Sequence, residues 1–437
     1  MKTSALSRMA RRTPEPPISW LMQAALARRR LISLAAGFTD NPSLPVAETR
    51  AALNQILRSP KTGRPALQYG STAGDPRLRQ LTVSHLRKLD RAETPRLSPN
   101  QGRRRSVPPG IYDWERLLIT SGSQQLLYLT AEALCDEGDI VLVEDPTYFV
   151  FLSILQSRGL RARGVRLERD GLDLAHLEKT LTALQRTGDL RRVRLFYLVS
   201  YFQNPTGVTT SFEKKRGLLE CLKRFERAAG HPICLLEDAA YRELRFRGAD
   251  VPSALAVAGA AGRVIYAGTF TKPFATGARV GYGLLPAPLF TAIRHLKGNH
   301  DFGTANLLQQ FFARVLATGQ HTRQVARLQT RYARKAQVMR LAIEKYFPPA
   351  VEWWEPAGGL YFWARLPRGI SAGMKSKVFR TALRRDVIYV PGELCYADDP
   401  SRRKPNNEMR ISFGNASEAE ISEGIKRLGA VLNQLVK

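Results

Sequence analysis

Between residues 115 and 285 the chain alternates short apolar runs with stretches of helical periodicity. The runs are Arg116–Thr120, Ile140–Glu144, Arg161–Leu167, Val193–Val199, Ile233–Glu237, Val264–Ala267 and Val280–Leu285. Runs this short, mostly apolar and bounded by turn residues, predict strands buried on both faces. Strands separated by helices predict an α/β domain built on a mainly parallel seven-stranded sheet. Upstream, Ala47–Leu57 has amphipathic helical spacing, and a glycine-rich loop, Leu67–Pro76, leads into a helix through Lys88. Downstream, His321–Tyr346 predicts a helix long enough to bridge two domains. Strands at Trp353–Leu366, Val387–Val390 and Met409–Phe413, with helices at Lys375–Arg384 and Glu418–Leu435, predict a smaller α+β unit. The expected division is an arm over 1–45, a large domain over 46–318 and a small domain over 319–437. The arm contains a short helical stretch near Ser19–Ala27 and is expected to pack on something else. Residues 91–113, rich in proline, arginine and polar side chains, have no periodicity and read as an exposed insertion.

Length changes this picture little: 437 residues suffice for two domains and a large core. Charge adds a question. The formal net charge is +29, but Arg28–Arg30, Arg103–Arg105, Lys214–Arg216 and Arg402–Lys404 are scattered, whereas nucleic-acid binding calls for one stripe. No apolar stretch is long enough to span a membrane, and MKTSALSRMARR lacks the apolar core of a secretory signal. The four cysteines lie far apart, mostly in apolar runs, and read as buried thiols in a reducing compartment, with the cytoplasm as the expected location. The six histidines show no metal-ligand spacing, so no metal is expected.

The most informative stretch follows the Val264–Ala267 run and reads GTFTKPFATGARVG over 268–281. Glycines there let the backbone approach a ligand. Hydroxyls at Thr269 and Thr271, exposed amides and the cation of Arg279 suit a phosphate. Lys272, placed among them, can attack an aldehyde on the same ligand and form a Schiff base. Pyridoxal 5'-phosphate carries both groups. Taken alone, the stretch reads rather as a surface loop with one lysine.

Four further segments fall where ligands bind in open α/β sheets, at strand carboxyl ends. Ser121-Gly122-Ser123-Gln124-Gln125 opens a helix, a natural phosphate site or a plain serine cap. Asp145-Pro146-Thr147-Tyr148 offers an aromatic that can stack on a flat heterocycle or fill a turn. Gln203-Asn204-Pro205-Thr206-Gly207 is a tight turn whose Asn204 can donate to a phenolate-like oxygen. Asp238, with Tyr241 three residues on, ends the apolar run Ile233–Glu237. Opposite a pyridine nitrogen it holds that nitrogen protonated: two charges ~4 Å apart at an effective dielectric of ~20 interact by ~4 kcal/mol, roughly three pKa units before desolvation.

In this order, QNPTG, EDAAY, the SGSQQ turn and the lysine loop resemble the class I/II aminotransferases of fold type I. The resemblance is nearest the α-aminoadipate and kynurenine aminotransferase branch and runs from about Ser7 to the C-terminus. It implies pyridoxal 5'-phosphate as cofactor, α-amino acids and 2-oxo acids as substrates, and a homodimer. It further implies that Lys272 is the Schiff-base lysine and proton shuttle, and that Asp238 pairs with the ring nitrogen. Asn204 and Tyr241 then bond the ring oxygen, and Tyr148 stacks on the ring. Ser123, Gln124, Thr269, Thr271 and Arg279 hold the phosphate, and Tyr69 reaches the neighbouring subunit's phosphate. Arg410 clamps the substrate carboxylate, with the Gly37 backbone beside it. Ser200, Pro273 and Ala36 depart from the family pattern, which has proline, a small hydroxyl residue and glycine there. Two alternatives stand beside transamination: a lyase or decarboxylase on the same fold, and the non-catalytic effector domain of a transcriptional regulator. No helix-turn-helix pattern precedes residue 45 to support the second.

Overall fold

The computed structural model describes residues 5–16, 19–21, 23, 27–28, 30–91 and 110–436. Fourteen strands are present among them, numbered here in chain order. Eight form one sheet: β2 (Leu117–Thr120), β3 (Ile140–Asp145), β4 (Arg161–Glu168), β5 (Gly171–Leu172), β6 (Val193–Val199), β7 (Cys234–Asp238), β8 (Val264–Thr269) and β9 (Gly281–Leu284). Their spatial order is β2-β9-β8-β7-β6-β3-β4-β5. The pairs β3/β4, β3/β6, β6/β7 and β7/β8 are parallel; β9 runs antiparallel to both its neighbours. The predicted seven strands are all present. The eighth, β5, is a two-residue return antiparallel to β4, too short to leave a periodic signal.

The apolar runs have the expected cause. Every residue of β2, β7, β8 and β9 is buried, including the glycines, because helices pack on both faces. Among these are Ser123–Leu134, Phe149–Arg158 and Phe212–Ala229.

Four strands, β10 (Glu352–Trp354), β11 (Tyr361–Arg365), β13 (Val390–Pro391) and β14 (Glu408–Ser412), form a smaller antiparallel sheet in the order β10-β11-β14-β13. The single strand expected over 353–366 is therefore a hairpin, with Glu352 opposite Arg365. Pro356 and Gly359, the latter at φ 71°, turn the chain between its arms. The long helix appears as Gln320–Tyr346, against which Glu418–Leu435 packs. Residues near the arm's end join this part: β1 (Ile32–Ser33) pairs in parallel with β12 (Val387–Ile388).

Three details differ from expectation. Pro60–Leu67 is helical despite Gly63 and Pro65, because Pro60 sits in its first turn and the Ser59 side chain accepts the Thr62 amide. Of the segment 91–113, residues 92–109 lie outside the described residues, and its end is not exposed: Ile111 and Tyr112 are buried, with the Tyr112 hydroxyl donating to Asp90. The arm carries an unexpected helix, Arg8–Arg12, whose Arg12 bonds Glu137 at 2.5 Å.

Candidate active site

The carboxyl ends of β2, β6, β7 and β8 converge because those strands run in one direction. Val199 and Asp238 sit opposite one another at the ends of β6 and β7. Gly281, the first residue of β9, pairs with both Thr120 and Thr269. A cavity of about 110 Å³ opens at this edge. Ser123, Gln124, Tyr148, Asn204, Asp238, Tyr241, Thr269, Thr271, Lys272 and Arg279 all line it. Segments widely separated in the chain thus meet around one small space.

One end of the cavity is electropositive. The helix Ser123–Leu134 begins there, and Gly122, its cap, supplies no side-chain acceptor for the first amides. Arg279 adopts the left-handed conformation, φ 49° and ψ 45°. A Cβ on Gly122 would come within 2.6 Å of an Arg279 guanidinium nitrogen, so a glycine is needed for that approach. The Thr271 hydroxyl is buried without a hydrogen-bond partner. Thr269 is already committed: its hydroxyl donates to the Val280 carbonyl at 3.2 Å and accepts the Thr271 amide at 3.0 Å.

The cavity wall also carries a carboxyl. Asp238 accepts from the Tyr197 hydroxyl at 2.9 Å and from the Ala240 amide at 3.0 Å. Burial outweighs both bonds and pushes its pKa up to about 6. Deeper in the sheet, Glu144 accepts the Val199 amide at 2.7 Å and is pushed up to about 8 by burial.

Lys272 lines the same cavity. Its Nζ donates to the Gly37 carbonyl at 2.7 Å and sits 5.9 Å from the Tyr241 ring centre. Burial, then the nearby Arg279 and Arg410, lowers its pKa to about 8. The amine therefore has a free lone pair much more often near neutral pH than a surface lysine does. The loop carrying it is held from below by Phe270 and Phe274, both buried against Phe312.

Arg410, on β14 of the smaller sheet, reaches the same place. It donates to Asn204 Oδ1 at 2.7 Å and to the Ala35 carbonyl at 2.6 Å, while its Nε is buried without a partner. Its guanidinium lies 4.2 Å from the Tyr361 ring centre. A Cβ on Gly37 would come within 2.6 Å of the Tyr361 hydroxyl, which itself lies 2.9 Å from the Tyr241 hydroxyl. Tyr69 alone of the predicted set stands apart: it is 83% exposed, with its ring against Phe302.

Sequence reasoning missed Tyr197 and Tyr361, and the lining residues Leu127, Val199 and Ala240. A tyrosine inside an apolar strand reads as core, and only the pairing of β6 with β7 shows that Tyr197 reaches Asp238. The departure at Ser200 also gains a reason, since its hydroxyl donates to the buried Glu237 at 2.6 Å. A larger cleft, about 1310 Å³, opens between β4 and the smaller sheet, but none of the predicted site residues lines it.

Comparison with known proteins agrees with this geometry. The family model for class I and II aminotransferases matches residues 29–428. A 2-aminoadipate transaminase of Thermus thermophilus is 32% identical, over 94% of this chain and 92% of that enzyme. Aromatic-amino-acid aminotransferase 1 of Thermococcus litoralis is 30% identical, over 93% of this chain and 89% of its own. The crystal structure of a kynurenine aminotransferase of Pyrococcus horikoshii, in complex with PMP, superposes with a TM-score of 0.85 at 30% identity, covering 99% of this chain and 98% of that one. The chain therefore belongs to the class I and II aminotransferases, pyridoxal-5'-phosphate-dependent enzymes of fold type I.

Proposed function

We propose that the 110 Å³ cavity is where this aminotransferase moves an amino group from an α-amino acid to a 2-oxo acid, with Lys272 as the reacting amine. The observation that carries the proposal is a buried lysine, lowered to about 8, sharing one cavity with an uncapped helix N-terminus, Arg279 and a buried aspartate. The cofactor's charges suit that polarity. The amides of Ser123 and Gln124, the partnerless Thr271 hydroxyl and Arg279 suit the phosphate, with Thr269 shaping the loop that carries them. Asp238 suits a protonated pyridine nitrogen. Asn204 and Tyr241 lie on the cavity wall to bond the ring oxygen, and Tyr148 to stack on the ring.

When bound, pyridoxal 5'-phosphate supplies an aldehyde for the lysine amine and a ring that accepts the electron pair released at Cα. Lys272 then takes the Cα proton and returns it. Asp238 stays anionic opposite the ring nitrogen, and Tyr197, donating to it, fixes its orientation. Arg410 forks to the substrate α-carboxylate, replacing its present bond to Asn204, with the Gly37 backbone beside it.

Further readings rest on this one. Tyr69, exposed in its own chain, reaches the phosphate of a second copy, so the enzyme works as a homodimer. The division into an arm over 1–45 and domains over 46–318 and 319–437 accords with the two main sheets and the helix between them. The four cysteines are free and buried, in keeping with a cytoplasmic location. No helix among the described residues is long and apolar enough to cross a membrane. The partners are amino and oxo acids and not nucleic acid, since the basic residues are scattered and many are paired with acids. The test is a panel of amino acids added to holo-protein while the cofactor spectrum and the products are followed. Conversion to the amino form of the cofactor with one 2-oxo acid released per site is expected. Release of carbon dioxide, or no spectral change with any donor, would refute transamination.

A further inference from the structure

Away from the cofactor cavity, three separated elements bring two histidines and a glutamate together. His85 comes from the helix Pro76–Arg91, Glu243 from the turn just after Tyr241, and His321 from the start of the helix Gln320–Tyr346. One ligand atom from each lies within 4.8 Å of the others. His85 Nε2 is 2.9 Å from Glu243 Oε1, and His321 Nε2 is 3.7 Å from Glu243 Oε2. The spacing along the chain gave no sign of this, because each group comes from a different element.

An ion pair between His85 and Glu243 explains only part of the cluster. His321 is 1% exposed, and neither of its ring nitrogens has a hydrogen-bond partner. Its ring is boxed by His85, with centroids 5.1 Å apart, and by Phe270 at 5.8 Å. Buried polar atoms are nearly always satisfied, and an unsatisfied one calls for a missing partner. Its Nε2 lies 3.7 Å from Glu243 Oε2, beyond hydrogen-bonding distance, while Oε1 is taken by His85. A cation between them supplies what both lack.

We propose that His85, Glu243 and His321 form a divalent transition-metal site, Zn²⁺ being the ion that best suits two imidazoles and a carboxylate. Ligands about 2.1 Å from a tetrahedral zinc stand about 3.4 Å from one another. The observed 2.9 and 3.7 Å bracket that value and all three ligand atoms lie within 4.8 Å of one another, so side-chain shifts on the order of an ångström bring them to tetrahedral spacing. His85 and Glu243 are partly exposed, at 19% and 12% of their side chains, which leaves an entry path and room for a fourth ligand. The site pins the turn after Tyr241 to two helices. The carbonyl of Glu243 already accepts from Gln329 on the second of them.

The experiment uses chelator-treated holoenzyme, dialysed against Zn²⁺ or Co²⁺ and then against metal-free buffer. Wild type is expected to retain about one ion per chain and to melt at a higher temperature with Zn²⁺ present. Its Co²⁺ form should show the intense visible bands of a low-coordinate ion. His321→Ala, His85→Gln and Glu243→Gln should each weaken retention by roughly tenfold or more and abolish the zinc-dependent rise in melting temperature. Should His321→Ala fail to fold, His85→Gln at the more exposed corner carries the test. Wild type without retained metal, or variants that bind as wild type does, would overturn the site. None of these readouts depends on turnover.

Discussion

Replacing Asp238 by asparagine should stabilise the cofactor-free protein while disabling the enzyme. In that form the carboxyl is fully buried and its pKa stands at about 6, against 3.8 in an unfolded chain. A group whose folded pKa is raised contributes its stability fully below the unfolded value. The contribution is lost as pH rises through the folded value. Ionised Asp238 therefore costs folding free energy above pH 6, by about 3 kcal/mol for a shift of about two units at 1.36 kcal/mol each. Asparagine carries no charge and keeps the local bonds: its oxygen still accepts the Ala240 amide, and its nitrogen donates to Tyr197. Urea unfolding of both apo-proteins should show Asp238→Asn ahead by under ~2 kcal/mol at pH 5, growing to about 3 kcal/mol above pH 7. The loaded variant should still hold cofactor through the phosphate contacts. Proton abstraction should slow by about a thousandfold, as expected when ~4 kcal/mol of charge pairing at the ring nitrogen is removed. Apo-proteins of equal stability at all pH values would refute the buried-charge argument, and near wild-type single-turnover rates would make Asp238 a structural cap.

Lys272→Ala should abolish the borohydride-reducible link to the cofactor and essentially all turnover with the fold intact; a reducible adduct at wild-type level would place the reacting amine elsewhere. Arg410→Ala should raise KM for every α-amino acid donor by roughly thirtyfold or more, since removing a charged bidentate partner typically costs at least ~2 kcal/mol. An unchanged KM across the panel would move the carboxylate clamp. Among donors, aromatic and aliphatic amino acids should outrun 2-aminoadipate and glutamate in kcat/KM. Ser19 in the arm cannot neutralise a side-chain acid, and Trp20 beside it is partly exposed with its ring centre 6.1 Å from that of Phe379, a flat surface for an apolar side chain. A clear win for either dicarboxylic acid would overturn this preference.

Local chemistry was enough to read much of this protein from its sequence. Continuous apolar runs such as Ile140–Val143 identified the sheet strands, because a strand covered on both faces carries few polar side chains. Phosphate-suited groups within one loop, and a carboxylate ending a buried strand, pointed to the proposed cofactor chemistry, because each signal lies within one short stretch of chain. Strand order, however, depends on pairings between distant segments. Only β6 lying beside β7 brings Tyr197 to Asp238, and only the fold places Arg410 of the smaller sheet on Asn204 of the larger. The break at Pro356–Gly359 reflects antiparallel pairing that the apolar pattern over 353–366 does not encode. The meeting of His85, Glu243 and His321 was equally invisible, since three helical segments contribute one residue each. The shifts at Lys272 and Asp238 belong to the same class, for desolvation is a property of what surrounds a group in space and not of its neighbours in the chain.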